Sequence, residues 1–301
     1  MDVSLEQKTL KLSIATTLVV AGLGVGFGLL SGSHSILFDG VFSSIDAAMS
    51  LLALLVSKLV ARESTRRFQL GYWHFEPMAA ALNGAILLLL CFYAFLNALS
   101  TLLQGGNPLA VDMAIGYSLI VCVICYVMVF VERRLNRQAR SDFVKIDIQN
   151  WLMAALITSA LLVAFAAALV MQGTALAPWI PYVDSTLLVV LTLGFMPVPA
   201  GIVYRAMREV LMMAPSRLDR EVREAMAPVM QRPGLERFES YVAKTGRVHN
   251  IEIHIVTTPD FASGSGIAEL DRIREEIAEG LSIPAEQRWF TVSFTADPRW
   301  L

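Results

Sequence analysis

Residues 38–46 read Phe38-Asp39-Gly40-Val41-Phe42-Ser43-Ser44-Ile45-Asp46 and sit inside an otherwise apolar run from about Ser35 to Val60. A helix over that run is long enough to cross a bilayer core roughly 30 Å thick. Two carboxylates within it cost at least about 2.5 kcal/mol each if they face lipid. Asp39 and Asp46 are seven residues apart, so they return to one helix face about 10 Å apart along the axis, with Ser43 between them. A stripe of oxygen donors on a membrane helix marks a path for cations. Two other placements are open for these acids: facing headgroup water, or holding the bundle together.

Working outward, the composition fits a membrane chain. Of 301 residues, 55% are hydrophobic and 17% charged, too apolar for an ordinary soluble domain. About half of the charged residues follow Met213. The expected division is therefore a membrane part over 1–212 and a cytoplasmic domain over 213–301. The net charge of −2 gives no reason to expect nucleic acid as a partner. Cys91, Cys122 and Cys125 lie in apolar runs without zinc-ligand spacing, and Cys122 and Cys125 read as packing residues.

Six apolar runs of spanning length cover roughly 11–31, 35–60, 77–103, 109–131, 146–171 and 182–204. Their connections alternate in charge. Lys8 and Lys11 precede the first run. Arg62, Arg66 and Arg67 follow the second, and Arg133, Arg134, Arg137, Arg140 and Lys145 follow the fourth. Arg205 and Arg208 follow the sixth. The other three loops have no Lys or Arg, which predicts six spans with both termini in the cytoplasm. The bilayer is then a partner along most of the chain.

Within the runs, Gly22, Gly24, Gly26 and Gly28 give the first helix small residues for close packing. Gly105-Gly106-Asn107-Pro108 is a turn. Asp112 stands near the outer end of the fourth helix, where an interfacial place is expected. Pro197 and Pro199 predict a break in the sixth. The fifth helix opens Lys145-Ile146-Asp147-Ile148-Gln149-Asn150-Trp151, with Asp147 and Asn150 on neighbouring parts of one face. Asp147 suits either a cation site or the positive N-terminal end of a helix. Trp151 reads as an interfacial anchor.

The remaining 90 or so residues alternate helical and strand patterns in the order αββαβ, a sheet with helices on one face. Lys244-Thr245-Gly246-Arg247 is the hairpin turn. His249 and His254, five apart on one strand, point to opposite faces. Ser33-His34 are adjacent, no geometry for a nucleophile and its base, so an enzyme is not expected and no cofactor is called for.

With these features assembled, the chain resembles the cation diffusion facilitator (cation efflux) family of divalent-metal/proton antiporters. The resemblance rests on six membrane helices, an αββαβ tail, Phe38-Asp39-Gly40 through Asp46, and Phe68-Gln69-Leu70-Gly71-Tyr72-Trp73-His74-Phe75-Glu76. It implies a ferredoxin-like tail, a homodimer, the cell inner (plasma) membrane, and a tetrahedral metal site between the second and fifth helices. Carried over, that site falls on Phe42, Asp46, Asn150 and Ala154, of which Phe42 and Ala154 cannot ligate metal. In the tail, His254 and Asp297 match family ligands. Tyr72 falls where a histidine often sits, with His74 close by and Glu76 in the place of the segment's acid.

The oxygen donors present are Asp46, Asn150, Asp39, Ser43 and Asp147. They suit Mn²⁺, Mg²⁺ or Fe²⁺ better than Zn²⁺. An acid in low dielectric binds a proton when no cation is present, so the expected activity is export of a divalent cation in exchange for protons. The alternative is a transport-inactive paralogue that serves as partner or scaffold for another cation efflux protein.

Overall fold

In a computed structural model the described residues are 3–60, 65–69, 71–107, 110–139 and 142–300; Arg62, Leu70, Pro108 and Arg140 fall outside them. The membrane part is a series of long helices: α1 Val3–Ser31, α2 His34–Val60, α3 Phe75–Leu103, α4 Val111–Ala139, α5 Asp142–Met171, α6 Ile180–Phe195 and α7 Pro197–Val210. Among the described residues, five segments are long and apolar enough to cross a membrane: Lys11–Ser31, Phe75–Leu103, Val111–Arg137, Asn150–Met171 and Ala177–Val210. The 27-residue α2, about 40 Å long, carries Asp39 and Asp46 and is not among them. The expected break in the last run falls at Met196, whose N–H bonds Thr192 O at 2.9 Å before Pro197 opens α7. Proline at that position has no N–H to continue the ladder.

The chain packs as two units, Met1–Leu54 with Asn83–Gly201, and Leu55–Leu82 with Ile202–Leu301. In the first, the main core joins α1, α2, α4 and α5 through Val20, Ile36, Tyr117, Val121, Trp151 and Phe165. Helices α1 and α2 approach so closely that a Cβ on Gly24 would lie 2.5 Å from Gly40 Cα. A smaller apolar cluster gathers Phe38, Cys91, Ala94, Ala98 and Leu188. All three cysteines are buried and free.

One end of this unit is tied by polar contacts from loops that carry no Lys or Arg. Ser33 caps α2, its Oγ accepting from Ile36 N at 3.2 Å. The same hydroxyl donates to Asp184 Oδ1 of α6 at 2.6 Å, and Asp184 also accepts from His34 N at 2.8 Å and Ser35 N at 3.3 Å. A carboxylate from α6 thus meets the positive end of α2. Asn107 Nδ2 donates to Gly32 O, and Asn107 N to Pro181 O at 2.9 Å. Asp184 is fully buried. Its replacement by alanine strands two backbone donors and a hydroxyl, which is expected to cost about 3 kcal/mol. A fall in melting temperature of the detergent-solubilised protein, partly recovered in Asp184→Asn, checks this.

In the second unit the tail reads α8 Ser216–Val229, β1 Leu235–Thr245, β2 Val248–Thr257, α9 Phe261–Glu279 and β3 Arg288–Thr295. The αββαβ order is as expected. Helix α9 begins five residues before the expected Gly266, where the backbone leaves helical geometry at φ +65°. The sheet order is β1-β2-β3, with β1 and β2 antiparallel and β2 and β3 parallel. Ile251, Ile253 and Ile255 alternate along β2 into the core shared with Leu218, Val222, Met226, Ile273 and Ile277, which accounts for helices on one face.

The hairpin tip, with Gly246 at φ +59°, is bound to two acids of the same unit. Lys244 Nζ lies 2.8 Å from Glu209 Oε1 of α7, and Arg247 Nε lies 2.6 Å from Glu76 Oε1 in the first turn of α3. Gly246 N donates to Glu209 Oε2 at 3.1 Å. A Cβ at Gly246 would meet Glu76 Oε2 at 2.7 Å, so the tip is built for glycine.

Candidate cation site

The helix α2 carries its oxygen donors at different depths and with different company. Asp39, half-buried, accepts a hydrogen bond from Tyr117 Oη of α4 at 2.6 Å. That bond lies beside the closest approach of α1 and α2, where Gly24 leaves room for the tyrosine oxygen. Tyr117 is buried, so Asp39 satisfies a phenol that would otherwise lack an acceptor. Ser43 is half-buried one turn further on, and Asp46 is exposed. Ser44 bonds back to Gly40 O at 2.8 Å, a local bond that keeps its hydroxyl on its own helix.

From α5, Asp147 is half-buried, and its Oδ2 is buried without a hydrogen-bond partner. It lies within electrostatic range of Asp46. The expected acids of α2 and α5 are thus near enough to repel one another, without a direct contact between them. Asn150 is exposed, and among the described residues no interaction links it to Asp46. Trp151, expected at the membrane interface, is instead buried, and its Nε1 donates to Ser13 Oγ at 2.8 Å. Its ring packs in the main core with Ile148 and Ala155, which outweighs the interfacial preference of an indole.

The two family positions without ligand chemistry have packing roles. Phe42 is set against Phe38 and Phe195, with ring centroids 5.9 and 6.3 Å away, in the smaller apolar cluster. Ala154 packs against the main core. Among the described residues no three His, Cys, Asp or Glu side chains converge as a metal-ligand group.

The histidines and the tail acid have other partners. His254 hydrogen bonds Ser293 Oγ at 2.6 Å and meets the edge of Tyr241. Asp297 is paired with Arg299 at 2.6 Å, and those hydrogen bonds hold its carboxyl below the usual carboxylate range. His249 faces Gln287 O at 3.4 Å. In the segment before α3, His74 is exposed, stacks on Phe68 and lies tilted against Phe75, while Tyr72 bonds Thr65 Oγ1 at 3.3 Å. Asp112 is exposed in the first turn of α4, as an interfacial acid would be.

Sequence reasoning missed two acids, Asp184 and Glu132. Asp184 sits inside an apolar run beside Ser185, and its spacing gives no sign of a partner 150 residues earlier. Glu132 opens the charged Glu132-Arg133-Arg134 stretch and reads as a solvated helix end. It is in fact buried.

The model of the cation efflux transmembrane domain matches residues 10–209. A comparison with curated proteins gives no match.

Proposed function

The chain belongs to the cation efflux family, whose members are transporters, and from that premise we propose that it exports a divalent metal cation from the cytoplasm in exchange for protons. The observation that carries this is the exposed Asp46 of α2 within electrostatic range of Asp147 of α5. An acid exposed to lipid in mid-helix costs at least about 2.5 kcal/mol, so Asp46 opens onto water or a cavity. Asp46 and Asp147 are the principal ligands. Asn150, Ser43 and Asp39 supply further oxygen donors along the path, with Asp39 steadied by Tyr117. Entry of a divalent cation between the two acids releases the protons that they share in its absence, which couples the two fluxes.

In this reading α2 is the sixth span. The loops rich in Lys and Arg lie in the cytoplasm of a cell whose inner membrane the chain crosses. The functional division is a transport domain over 1–212 and a cytoplasmic ferredoxin-like domain over 213–301, and two copies form a homodimer. The division follows the membrane surface rather than the two packing units. Rocking of helix groups about the acids would give alternating access.

The oxygen-only donor set favours Mn²⁺ or Fe²⁺ over Zn²⁺. In proteoliposomes containing the full chain, Mn²⁺ is expected to suppress labelled Zn²⁺ uptake more strongly than Zn²⁺ suppresses Mn²⁺ uptake at equal free concentration. The reverse order would show that ligands outside α2 and α5 set the preference.

A second reading has one specific observation behind it. Phe42, at a family ligand position, is locked in an aromatic cluster, as expected of a partner or scaffold that no longer transports. Absence of flux for every divalent metal, with a stable complex to a second cation efflux protein, would favour it.

A further inference from the structure

The first unit holds a carboxylate that the path through Asp46 does not use. Glu132 of α4 is 0% exposed, and neither of its carboxylate oxygens has a hydrogen-bond partner among the described residues. It faces Asp147 of α5 and Ser13 of α1, near enough to interact but without a hydrogen bond of normal geometry. Asp147 contributes a second buried, unpartnered oxygen, its Oδ2. Ser13 is also buried, and its Oγ takes one hydrogen bond from Trp151. A hydroxyl oxygen has two lone pairs, so one is left for another partner. Oxygen atoms from α1 and α5 thus lie near the buried Glu132 carboxylate of α4.

The energetics single this cluster out. A buried carboxylate without a compensating partner costs several kcal/mol, and a second carboxylate facing it adds repulsion. Most buried carboxylates are paired with Arg or Lys, or bonded to backbone N–H groups. No ion pair involves Glu132 among the described residues, and the adjacent Arg133 and Arg134 are exposed. Among the described residues, Glu132 and Asp147 are the carboxylates with buried, unpartnered oxygens. Oxygen donors alone, two of them anionic, are complementary to a hard divalent cation.

We propose that Glu132, Asp147 and Ser13 form a second cation site, distinct from the one at Asp46, that holds a hard divalent cation of the Mn²⁺ or Mg²⁺ class. It rests on the transport reading only in placing Asp147 on a cation path. Asp147 is then shared, since Glu132 and Asp46 both lie within electrostatic range of it. A cation leaving the Glu132 side keeps one ligand while it gains Asp46, so the step between sites never strips all the protein ligands at once.

The test is Mn²⁺ binding to the full chain in nanodiscs, read from loss of the free-ion electron paramagnetic resonance signal. Two Mn²⁺ per chain are expected for the wild type and one for Glu132→Gln. Asp46→Asn should also bind one, and Asp147→Asn should weaken both sites. An unchanged count in Glu132→Gln overturns the second site, including the case in which the two carboxylates merely share a proton. An unchanged count in Asp46→Asn would instead count against the transport reading and leave the Glu132 arm standing. Should Glu132→Gln fail to fold, Ser13→Ala keeps both charges. It is expected to weaken one of the two sites by about tenfold, the lower end of the effect of losing a supporting group at a metal site. Wild-type affinity at both sites in Ser13→Ala would overturn the proposal.

Discussion

Gly40→Val is expected to leave no monodisperse protein after extraction from the membrane, whereas Gly22→Val and Gly26→Val are expected to behave as wild type. A Cβ at Gly40 would stand 2.3 Å from Val25 N and 2.5 Å from Gly24 C. Both are backbone atoms, so no rotamer change relieves the clash. Gly28 makes a similar contact, its Cβ falling 2.6 Å from Leu37 Cα, but nothing lies within 4 Å of a Cβ at Gly22 or Gly26. Overpacking of a core by added methylenes costs about 1–3 kcal/mol where side chains can shift, and here the helices themselves would have to part. Parting them also pulls Asp39 away from Tyr117 and exposes the phenol in an apolar layer. Size-exclusion profiles of the four proteins in one detergent check the expectation. A monodisperse Gly40→Val with an unshifted melting temperature would mean that α1 and α2 are not in this contact.

The glycines show how far the sequence can be read. Four small residues on α1 predict close packing with a neighbour, and that holds. Which two of the four carry it depends on the face that α1 turns to α2, and small residues at alternate positions are present on both faces. Run lengths and turn residues were enough for the αββαβ order of the tail and for the break before Pro197, because these signals are local. Partners far apart in the chain were not legible. Asp184 caps α2 from α6, and Glu132 lies buried beside Ser13 and Asp147. Each acid's neighbours in sequence suggest a different environment from its neighbours in space.

The candidate site divides in the same way. Asp46 and Asp147 were legible as acids on apolar helices, and they lie within electrostatic range of one another. Asp39 was legible as an acid too, but not as the acceptor for a tyrosine on α4. Ser43 and Asn150 were named from their spacing, and the described contacts add no partner for either. The aromatic cluster around Phe42 could not be read from α2 alone, since Phe195 comes from the far end of α6.

Asp46→Asn is expected to remove metal-dependent proton movement altogether while leaving the protein folded. Asparagine keeps the size and one carbonyl acceptor of aspartate but cannot supply the charge that opposes a divalent cation or the site from which a proton is exchanged. Asp46 is exposed, so its removal strands no buried partner and little stability is lost. Asp39→Asn should act more mildly if the aspartate chiefly accepts from Tyr117, and as strongly as Asp46→Asn if it is a ligand in its own right. Asp112→Asn, at an exposed position in the first turn of α4, serves as a control expected to match wild type.

The most direct test measures Mn²⁺ entry and proton exit together, with one indicator for each ion, in proteoliposomes of wild type and Asp46→Asn at equal protein density. The account predicts coupled movement of both ions for wild type and, for the variant, rates no higher than those of protein-free liposomes. An Asp46→Asn protein that moves Mn²⁺ and protons at the wild-type rate would contradict it.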